Sequence, residues 1–587
     1  MSQLPTNRRA FLFQSASTVA ALAATGTTLV ACGGNDPAPA EYRYGVASGD
    51  PLADRVMLWT HARVPGSNDN VPLTWQVSTS ITFDSIVASG SITSTADTAF
   101  TNKVDATGLS AGNTYYYRFL DQLHTASPVG TTRTLPAASA ASVKFAVFSC
   151  TLYSAGFFNA YDAAAKSGAQ YAIHLGDYIY EYGSDPAKFG NSDAVSLGRV
   201  TAPANDIVSL DDYRTRYAQY RSDPNLQALH AAMPWITVWD DHEFANNAWV
   251  DGAENHNSTT QGSWSTRKAM AARVYHEWMP IRTPDATNLL KIYRRFDFGN
   301  IFTLHMVDTR IEGRDKQYDA YGDADGGIGR YVTALTSGTD ANHRMMSTTQ
   351  QNWLTSGMAA STATWQIMGN QDIMARMWFP ANVLQAQAAA TASPTTVNQQ
   401  AVLKAISDFL TAKATPAATR TATQAGLAGT STNPRLPYNL DAWDGYPIQR
   451  ETILQTIKAQ GKKLITLSGD SHNAWFANVT TLGGDKVGVE FAGSSVSSPG
   501  FESAGLGGLA SSLDGTAVAP GVQGSGLGLV DDLNYADTIR RGYLLMTATT
   551  AAVKGEYVFV DTIKSKTYGV ATGKTVTVAA TGTVTYA

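Results

Sequence analysis

The sequence has very little cysteine: Cys32 and Cys150 are the two cysteines among 587 residues. Such a low count excludes a disulfide scaffold, and the two positions lie in such different settings that we do not expect them to pair. A basic surplus is also missing, because 43 Lys and Arg oppose 48 Asp and Glu and the net charge is -5 at pH 7. The chain therefore has no electrostatic footprint for nucleic acid.

Several sequence motifs are missing as well. Beyond the amino-terminal segment no run is long and apolar enough to span a membrane. There is no H-E-x-x-H pair and no P-loop, so the corresponding classes of enzyme are not indicated. The composition, with 44% hydrophobic and 16% charged residues, is that of a globular protein. At this length at least two domains are expected.

The first 32 residues are predicted to be an export signal. Arg8 and Arg9 form a twin-arginine pattern, and a weakly apolar run follows with no acidic residue before Asp36. The run ends in Leu29–Gly33, which resembles a bacterial lipobox with Cys32 as the acylated residue. A chance arginine pair at a frayed terminus is the alternative. We predict a lipoprotein exported by the twin-arginine route, periplasmic or at the cell surface, tethered at Cys32 by a lipid rather than a membrane span.

The remaining chain divides by pattern. Residues 33–40 have the composition of a linker. From 41 to 138, short alternating strands separated by turn residues predict a small all-β, fibronectin-like domain. From 143 to 587, strands alternate with helices, which predicts an α/β catalytic domain. An Ala-, Thr- and Gln-rich stretch at 383–436 is predicted to be a partly helical insertion.

Polar side chains follow six predicted strands at the point where each strand ends. They are Cys150, Asp177, Asp240-Asp241-His242, Asp308, Asn370-Gln371 and Asp470-Ser471-His472-Asn473. Because open α/β sheets bind ligands outside the carboxyl ends of their strands, we expect these groups to share one site. A turn held by side-chain hydrogen bonds is the alternative for each segment taken alone.

The residue types at these ends favour metal binding. If the chain turns helical after Asp177, its carboxylate and the Tyr180 phenol lie on one face and can share a cation. Carboxylate and phenolate suit ferric iron, and a carboxylate alone also suits calcium. A capping aspartate with a core tyrosine is the alternative. Cys150 is either a small buried hydrophobe or a thiolate ligand.

Together these motifs resemble the PhoD-type alkaline phosphatases. The resemblance rests on the twin-arginine signal, Phe148-Ser149-Cys150, Gly176 to Tyr182, Trp239 to Glu243, Asp308-Thr309-Arg310, Trp443 to Tyr446 and Ser468 to His472. It covers about 41 to 587. It implies a metallophosphoesterase-like β-sandwich flanked by helices behind the small β domain, Fe³⁺ and Ca²⁺ as cofactors, and hydrolysis of phosphate monoesters and diesters.

The resemblance also implies roles for individual residues. Carried over by motif, Cys150, Asp177 and Tyr180 would hold iron, with Asp177 bridging to calcium. Asp241, Asp470 and His472 are further candidate ligands. His242 and Asp241 are the candidate catalytic residues, and His242 and Arg310 are the candidates for phosphate contact. Arg376 is a further candidate for phosphate contact, and a salt bridge is the alternative for both arginines. Asp240, Asn246, Asn247 and Asn473 stay open as ligands, and the Asp-x-His pair that opens the wider superfamily's motifs is missing, so a zinc or manganese pair is not carried over.

The predicted mechanism is attack of a metal-bound hydroxide on phosphorus, with His242 stabilising the oxygens or protonating the leaving alkoxide. Two alternatives remain. A phospholipase-type phosphodiesterase is favoured by the lipid tether. A non-catalytic surface lipoprotein would bind a partner through its β domain and keep its metals for structure.

Overall fold

The computed structural model describes residues 38–318, 327–337, 343–520 and 526–587. The predicted export signal, the predicted acylation site Cys32 and most of the predicted linker lie outside these residues. Within them, no helix has both the length and the apolar character needed to cross a membrane.

The strands include the six whose ends were singled out above. In chain order they are β1 (Val46–Gly49), β2 (Arg55–His61), β3 (Val71–Ser78), β4 (Ile86–Ser94), β5 (Thr101–Thr107), β6 (Thr114–Leu120), β7 (Gly130–Arg133), β8 (Val143–Phe148), β9 (Tyr171–His174), β10 (Trp235–Thr237), β11 (Arg294–Phe298), β12 (Phe302–Met306), β13 (Trp365–Gly369), β14 (Trp378–Pro380), β15 (Arg435–Pro437), β16 (Lys463–Ser468), β17 (Ala474–Thr480), β18 (Lys486–Ala492), β19 (Leu533–Asp537), β20 (Arg541–Ala548), β21 (Ala552–Val560), β22 (Val570–Ala579) and β23 (Val584–Tyr586).

The α-helices of the described residues all follow β8 in the chain and stand singly or in groups of two or three between strands. They are α1 (Asn159–Ala165), α2 (Leu210–Arg221), α3 (Pro224–Ala232), α4 (Ser258–Gln261), α5 (Trp264–Trp278), α6 (Gly327–Ser337), α7 (Thr348–Ala360), α8 (Ala381–Ala392), α9 (Thr396–Ala414), α10 (Ala422–Ala428), α11 (Pro447–Ala459) and α12 (Ala510–Leu513).

Two sheets carry the core. A ten-stranded sheet runs in the order β23-β22-β21-β20-β8-β9-β10-β1-β2-β5, and a seven-stranded sheet in the order β11-β12-β13-β16-β18-β17-β19. The central pairs β8 with β9, β9 with β10, β12 with β13 and β13 with β16 are all parallel. Parallel strands are buried on both faces and read as continuous apolar runs. Every residue of β9, β10, β12 and β13 is accordingly buried.

The two sheets share one apolar core. Residues of β8, β9 and β10 belong to the same buried cluster as residues of β12, β13 and β16. Phe145 and Phe302 meet across the two sheets with ring centroids 5.4 Å apart. Helix α1 packs on β20 and helix α11 on β18. The structure thus confirms the predicted α/β class, with a β-sandwich flanked by helices.

The strands of the amino-terminal β-rich region are divided between two sheets. Strands β3, β4, β6 and β7 form a separate four-stranded sheet. Strands β1, β2 and β5 instead extend the ten-stranded sheet, since β1 pairs in parallel with β10. Val56 and Leu58 of β2 pack with Tyr117 and Phe119 of β6. The boundaries 41–138 and 143–587 stay predictions.

Two segments in the later part of the chain agree with the pattern of their sequence, the stretch 383–436 and the carboxyl-terminal strands. The stretch 383–436 contains most of α8 and all of α9 and α10, so it is partly helical as predicted, and its being an insertion stays a prediction. The carboxyl-terminal strands β20 to β23 join the ten-stranded sheet beside β8 and complete it.

Candidate functional site

The site lies where six strands end at one edge of the sandwich. Gln371, after β13, donates to the carbonyls of Trp239 and Val307, at distances of 2.9 and 2.8 Å. The amide of Gly469, after β16, donates to the carbonyl of Gln371 at 2.8 Å. Cys150 N–H donates to Gly176 O at 3.1 Å. The loops that follow the strands are therefore tied to one another, and the expected shared site exists.

The loops are held in conformations that few residues adopt freely. Ten described non-glycine residues have positive φ, and five of them are candidate site residues: Cys150, Asp177, Asn247, Asp470 and His472. Left-handed backbone of this kind concentrates at functional sites, where the surrounding structure sustains its strain. Gly176 has φ of +112°, and a Cβ there would collide with Asp240. Only glycine lets these two strand ends approach so closely.

Cys150, Asp177, Tyr180 and His472 converge on one point. One potential ligand atom each from Cys150, Asp177 and His472 lies within 4.8 Å of the others. The Tyr180 hydroxyl donates to Asp177 Oδ2 at 3.0 Å and lies 3.1 Å from His472 Nε2. His472 Nδ1 contacts Pro499 O at 2.6 Å, which leaves Nε2 facing the group.

The proximity of Asp177 and Tyr180 was predicted on the condition that the chain turns helical between them. No helix forms there, because β9 ends at His174 and Asp177 adopts φ of +57°. The left-handed residue turns the chain so that the Tyr180 phenol still reaches the Asp177 carboxylate. The proximity of Asp177 and Tyr180 is confirmed, and it does not come from a helical turn.

A second group forms around Asp241 and His242. Asp177, Asp241 and His242 each offer an atom within 4.8 Å of the others, and so do Asp240, Asp241 and Asp470. The Asn247 amide donates to Asp241 Oδ2 at 2.6 Å. The other oxygen, Asp241 Oδ1, is buried and has no hydrogen-bond partner. A buried carboxylate oxygen without a donor fits a cation ligand.

Glu181 is a site residue that the sequence reading missed. Its Oε2 lies 2.6 Å from His242 Nδ1, and its Oε1 accepts from the Asn246 amide at 2.8 Å and from Asn255 at 2.8 Å. Burial alone would raise the pKa of Glu181, but the charge of His242 and these hydrogen bonds lower it. Burial disfavours the His242 imidazolium, yet Asp241, Glu181 and Asp177 raise its pKa well above the ordinary value. The sequence signal was a carboxylate directly beside Tyr180.

Glu243 ties two of the strand-end loops together. Its carboxylate accepts from the backbone amides of Asp177 at 3.0 Å, Asp240 at 2.8 Å and Tyr178. Burial raises the pKa of Glu243 to about 7, although the three amides oppose the shift. Glu243 thus holds the backbone of the site and does not face the ligand group.

Arg310 is the charge centre of the site. Its side chain is 0% exposed and pairs with four carboxylates, those of Asp240, Asp372, Asp441 and Asp470. Asp372 and Asp441 were not singled out from the sequence, although Asp372 directly follows the Asn370-Gln371 segment. The predicted phosphate contact of Arg310 stays a prediction, and these ion pairs give the guanidinium a different set of partners.

The other polar candidates have local partners. Asn246 and Asn247 donate through Nδ2 to Glu254 Oε2 at 3.1 and 2.7 Å. Asn473 donates to Ser471 O at 2.6 Å. Arg376 pairs with Asp532 at 2.9 Å, so the structure favours the salt-bridge alternative for that arginine.

The site as a whole has a surplus of acidic groups. Burial raises the pKa of Asp470 to about 8, and burial with Asp177 raises that of the Cys150 thiol well above its usual range. Like charges 4 to 5 Å apart repel strongly in a buried setting. The thiol, phenol, imidazole and carboxylates form a donor set that fits a ferric ion beside a harder divalent cation such as calcium.

Three comparisons with known proteins agree. The family model of the PhoD-like phosphatase matches residues 145–557, and that of the PhoD-like phosphatase N-terminal domain matches residues 28–136. Alkaline phosphatase D of Bacillus subtilis (strain 168) is 33% identical over 475 residues, covering 78% of this chain and 70% of the relative. A solved structure described as that of PhoD superposes with a TM-score of 0.72 at 29% identity and covers 94% of this chain and 93% of its own.

Proposed function

Because this chain belongs to the PhoD-like phosphatase family, whose members are metal-dependent phosphoric ester hydrolases, we propose that it is an exported phosphatase that cleaves phosphate monoesters and diesters at this site. The observation that carries the proposal is the convergence of Cys150, Asp177, Tyr180 and His472 next to Asp241 and His242. Burying a thiol, a phenol and an imidazole around one carboxylate is costly unless these groups are paired or coordinate a cation.

The proposed cofactors are one ferric ion and calcium. Cys150, Asp177, Tyr180 and His472 would hold the iron, while Asp177, Asp241 and Asp470 would hold calcium. When bound, such cations neutralise charge on the phosphate oxygens and make a nearby water acidic enough to act near neutral pH. The orphaned Asp241 Oδ1 and the raised pKa of Asp470 support the assignment.

His242 is proposed to donate the proton that the departing alkoxide needs. Glu181 occupies Nδ1 and fixes the ring, so Nε2 is the nitrogen available to a substrate. The imidazole also lies against the Tyr180 ring, with centroids 4.1 Å apart. A ring held on two sides is preorganised to present Nε2 to the leaving oxygen.

A Glu181→Gln substitution is expected to lower kcat about 10- to 100-fold, because His242 loses the negative charge that favours its protonated form. KM and bound metal should change little, since Glu181 is not a proposed ligand. Steady-state kinetics with elemental analysis check this. Glu254→Gln is the control, because Glu254 is exposed and contacts Asn246 and Asn247 rather than His242. An unchanged kcat in Glu181→Gln would contradict the role of the pair.

The experiment that tests the proposed function combines metal analysis with two ester assays on the purified protein. A ferric ion bonded to the Tyr180 phenolate should give a visible charge-transfer band, and Tyr180→Phe should remove it. Faster cleavage of a phosphatidyl diester than of a monoester would favour the phospholipase-type alternative. A colourless protein that binds only calcium and cleaves neither ester would favour the non-catalytic lipoprotein.

Export by the twin-arginine route and a lipid anchor at Cys32 complete the proposal. Its support is the order of the two signals, Arg8-Arg9 and then Leu29 to Gly33. Cell fractionation tests it: Cys32→Ser should move the protein from the membrane to the soluble exported fraction.

A further inference from the structure

One aromatic side chain stands out by its exposure. Phe189 is 37% exposed, more than any other Phe, Tyr or Trp in the part of the chain that the structure describes. Isolated exposed apolar residues are common and need no explanation. The position of Phe189 is what sets it apart, because its ring lies almost parallel to the imidazole of His472, with centroids 5.7 Å apart and planes inclined by 26°.

Phe189 belongs to a continuous ring of aromatic groups around the candidate site. We use the term aromatic collar for five side chains: Tyr180, Tyr182, Phe189, His242 and His472. Tyr182 meets Phe189 at 6.5 Å and His242 at 5.3 Å, both edge to face. Tyr180 meets His242 at 4.1 Å and His472 at 6.5 Å. The collar thus joins the proposed metal ligands to the proposed general acid, and Phe189 is its solvent-facing member.

We propose that Phe189 and Tyr182 form a stacking surface that selects phosphate esters whose alcohol carries a planar aromatic ring close to phosphorus, such as an aryl or nucleoside ester. The inference rests on the proposed function, since the phosphate would lie on the cations held by the other collar residues. A ring bonded through oxygen to that phosphate reaches the collar. Offset and edge-to-face ring contacts are favourable beyond the area that they bury, and stacking accepts any planar ring.

The charges beside the collar favour recognition through the ring rather than through a charged group on the alcohol. Lys188 is the neighbour of Phe189 in sequence, and its ammonium lies 5.9 Å from the centre of the Tyr182 ring. It is also paired with Asp206 at 3.3 Å. Since this cation is already neutralised, an additional anionic group on the substrate gains little from it.

The test is calorimetric titration of the metal-loaded full-length chain with phenylphosphonate and with cyclohexylphosphonate. Both carry a phosphonate and a six-membered carbon ring, so the comparison isolates planarity. We expect phenylphosphonate to bind the unsubstituted chain about tenfold more tightly. The ratio should fall to about one in Phe189→Ala and return in Phe189→Trp. Val195→Ala, at a position 74% exposed and outside the collar, should keep the ratio.

The outcomes separate the two proposals. Equal affinity of the unsubstituted chain for the two phosphonates would overturn the stacking surface and leave the phosphatase intact. An equal loss of both affinities in Phe189→Ala would also overturn it, because the ring would then only support His472. If neither phosphonate bound the unsubstituted chain, the phosphate site itself would be contradicted, and the stacking surface with it.

Discussion

Replacing Asp177 with asparagine is expected to abolish ester hydrolysis, with kcat falling by about a thousandfold or more, equivalent to about 4 kcal/mol of transition-state stabilisation. Asp177 is the one residue shared by both ligand groups, the one with Cys150 and His472 and the one with Asp241 and His242. An amide at this position keeps an oxygen that can accept but loses the charge on which both proposed cation sites depend.

The same substitution should not unfold the protein. Burial raises the pKa of Asp177 well above its usual value, and Asp241, Glu243 and Asp470 raise it further, against the lowering by His242. A carboxyl group whose pKa is higher in the folded than in the unfolded chain stabilises the fold at low pH. This contribution is lost as pH rises from the unfolded pKa towards the folded one. At neutral pH the metal-free Asp177→Asn variant should therefore be at least as stable as the metal-free parent.

Three measurements on Asp177→Asn check this: kcat, bound iron and calcium, and thermal unfolding of the metal-free chain. The matched control is Asp485→Asn, whose carboxylate is 53% exposed and pairs with Lys458. The control should keep the activity of the parent. Retained turnover in Asp177→Asn would refute the proposed ligand set, and a large loss of metal-free stability would refute the electrostatic argument.

The positions of the strands and of their polar ends could be predicted from the sequence because both are local properties. Apolar runs such as Trp235 to Trp239 have to be buried, and the polar residues that follow them have to leave the core. Parallel pairing then brings every carboxyl end to one edge. Cys150, Asp177, Asp241 and Asp470 were found in this way, without knowledge of how the two sheets pack.

The side chains that support the site could not be found in this way, since their roles depend on side-chain directions. Glu181 lies 2.6 Å from the imidazole of His242, which follows a different strand 61 residues further along the chain. A helical turn would place Glu181 on the same face as Asp177, four residues earlier, but would not indicate which distant side chain it meets. Asp441 lies in the loop after the helical insertion, 131 residues from Arg310 in the chain. No periodicity links residues so far apart.

Arg310→Met is expected to destabilise the protein by about 3–5 kcal/mol, because it leaves several buried carboxylates without their counter-charge. Asp240 and Asp372 have side chains 1% and 0% exposed, and Asp441 and Asp470 are 11% and 19% exposed. Water therefore cannot solvate the carboxylates of Asp240 and Asp372 in place of the guanidinium. Chemical denaturation of the metal-free protein measures the loss, and Arg55→Met, which breaks only exposed pairs with Asp54 and Asp105, should cost less than about 1 kcal/mol.

The kinetics of a conservative variant decide between the two roles for Arg310. Arg310→Lys keeps one positive charge but replaces a planar fork, whose Nε, Nη1 and Nη2 all contact carboxylates, with a single ammonium. If Arg310 positions the carboxylates, as its ion pairs indicate, Arg310→Lys should lower stability, metal affinity and kcat together. A phosphate contact would instead raise KM and leave the free energy of unfolding unchanged. The second result would support the phosphate contact that was predicted from the sequence. It would also refute the charge-centre role, because replacing a guanidinium that pairs with four carboxylates should lower the stability of the fold.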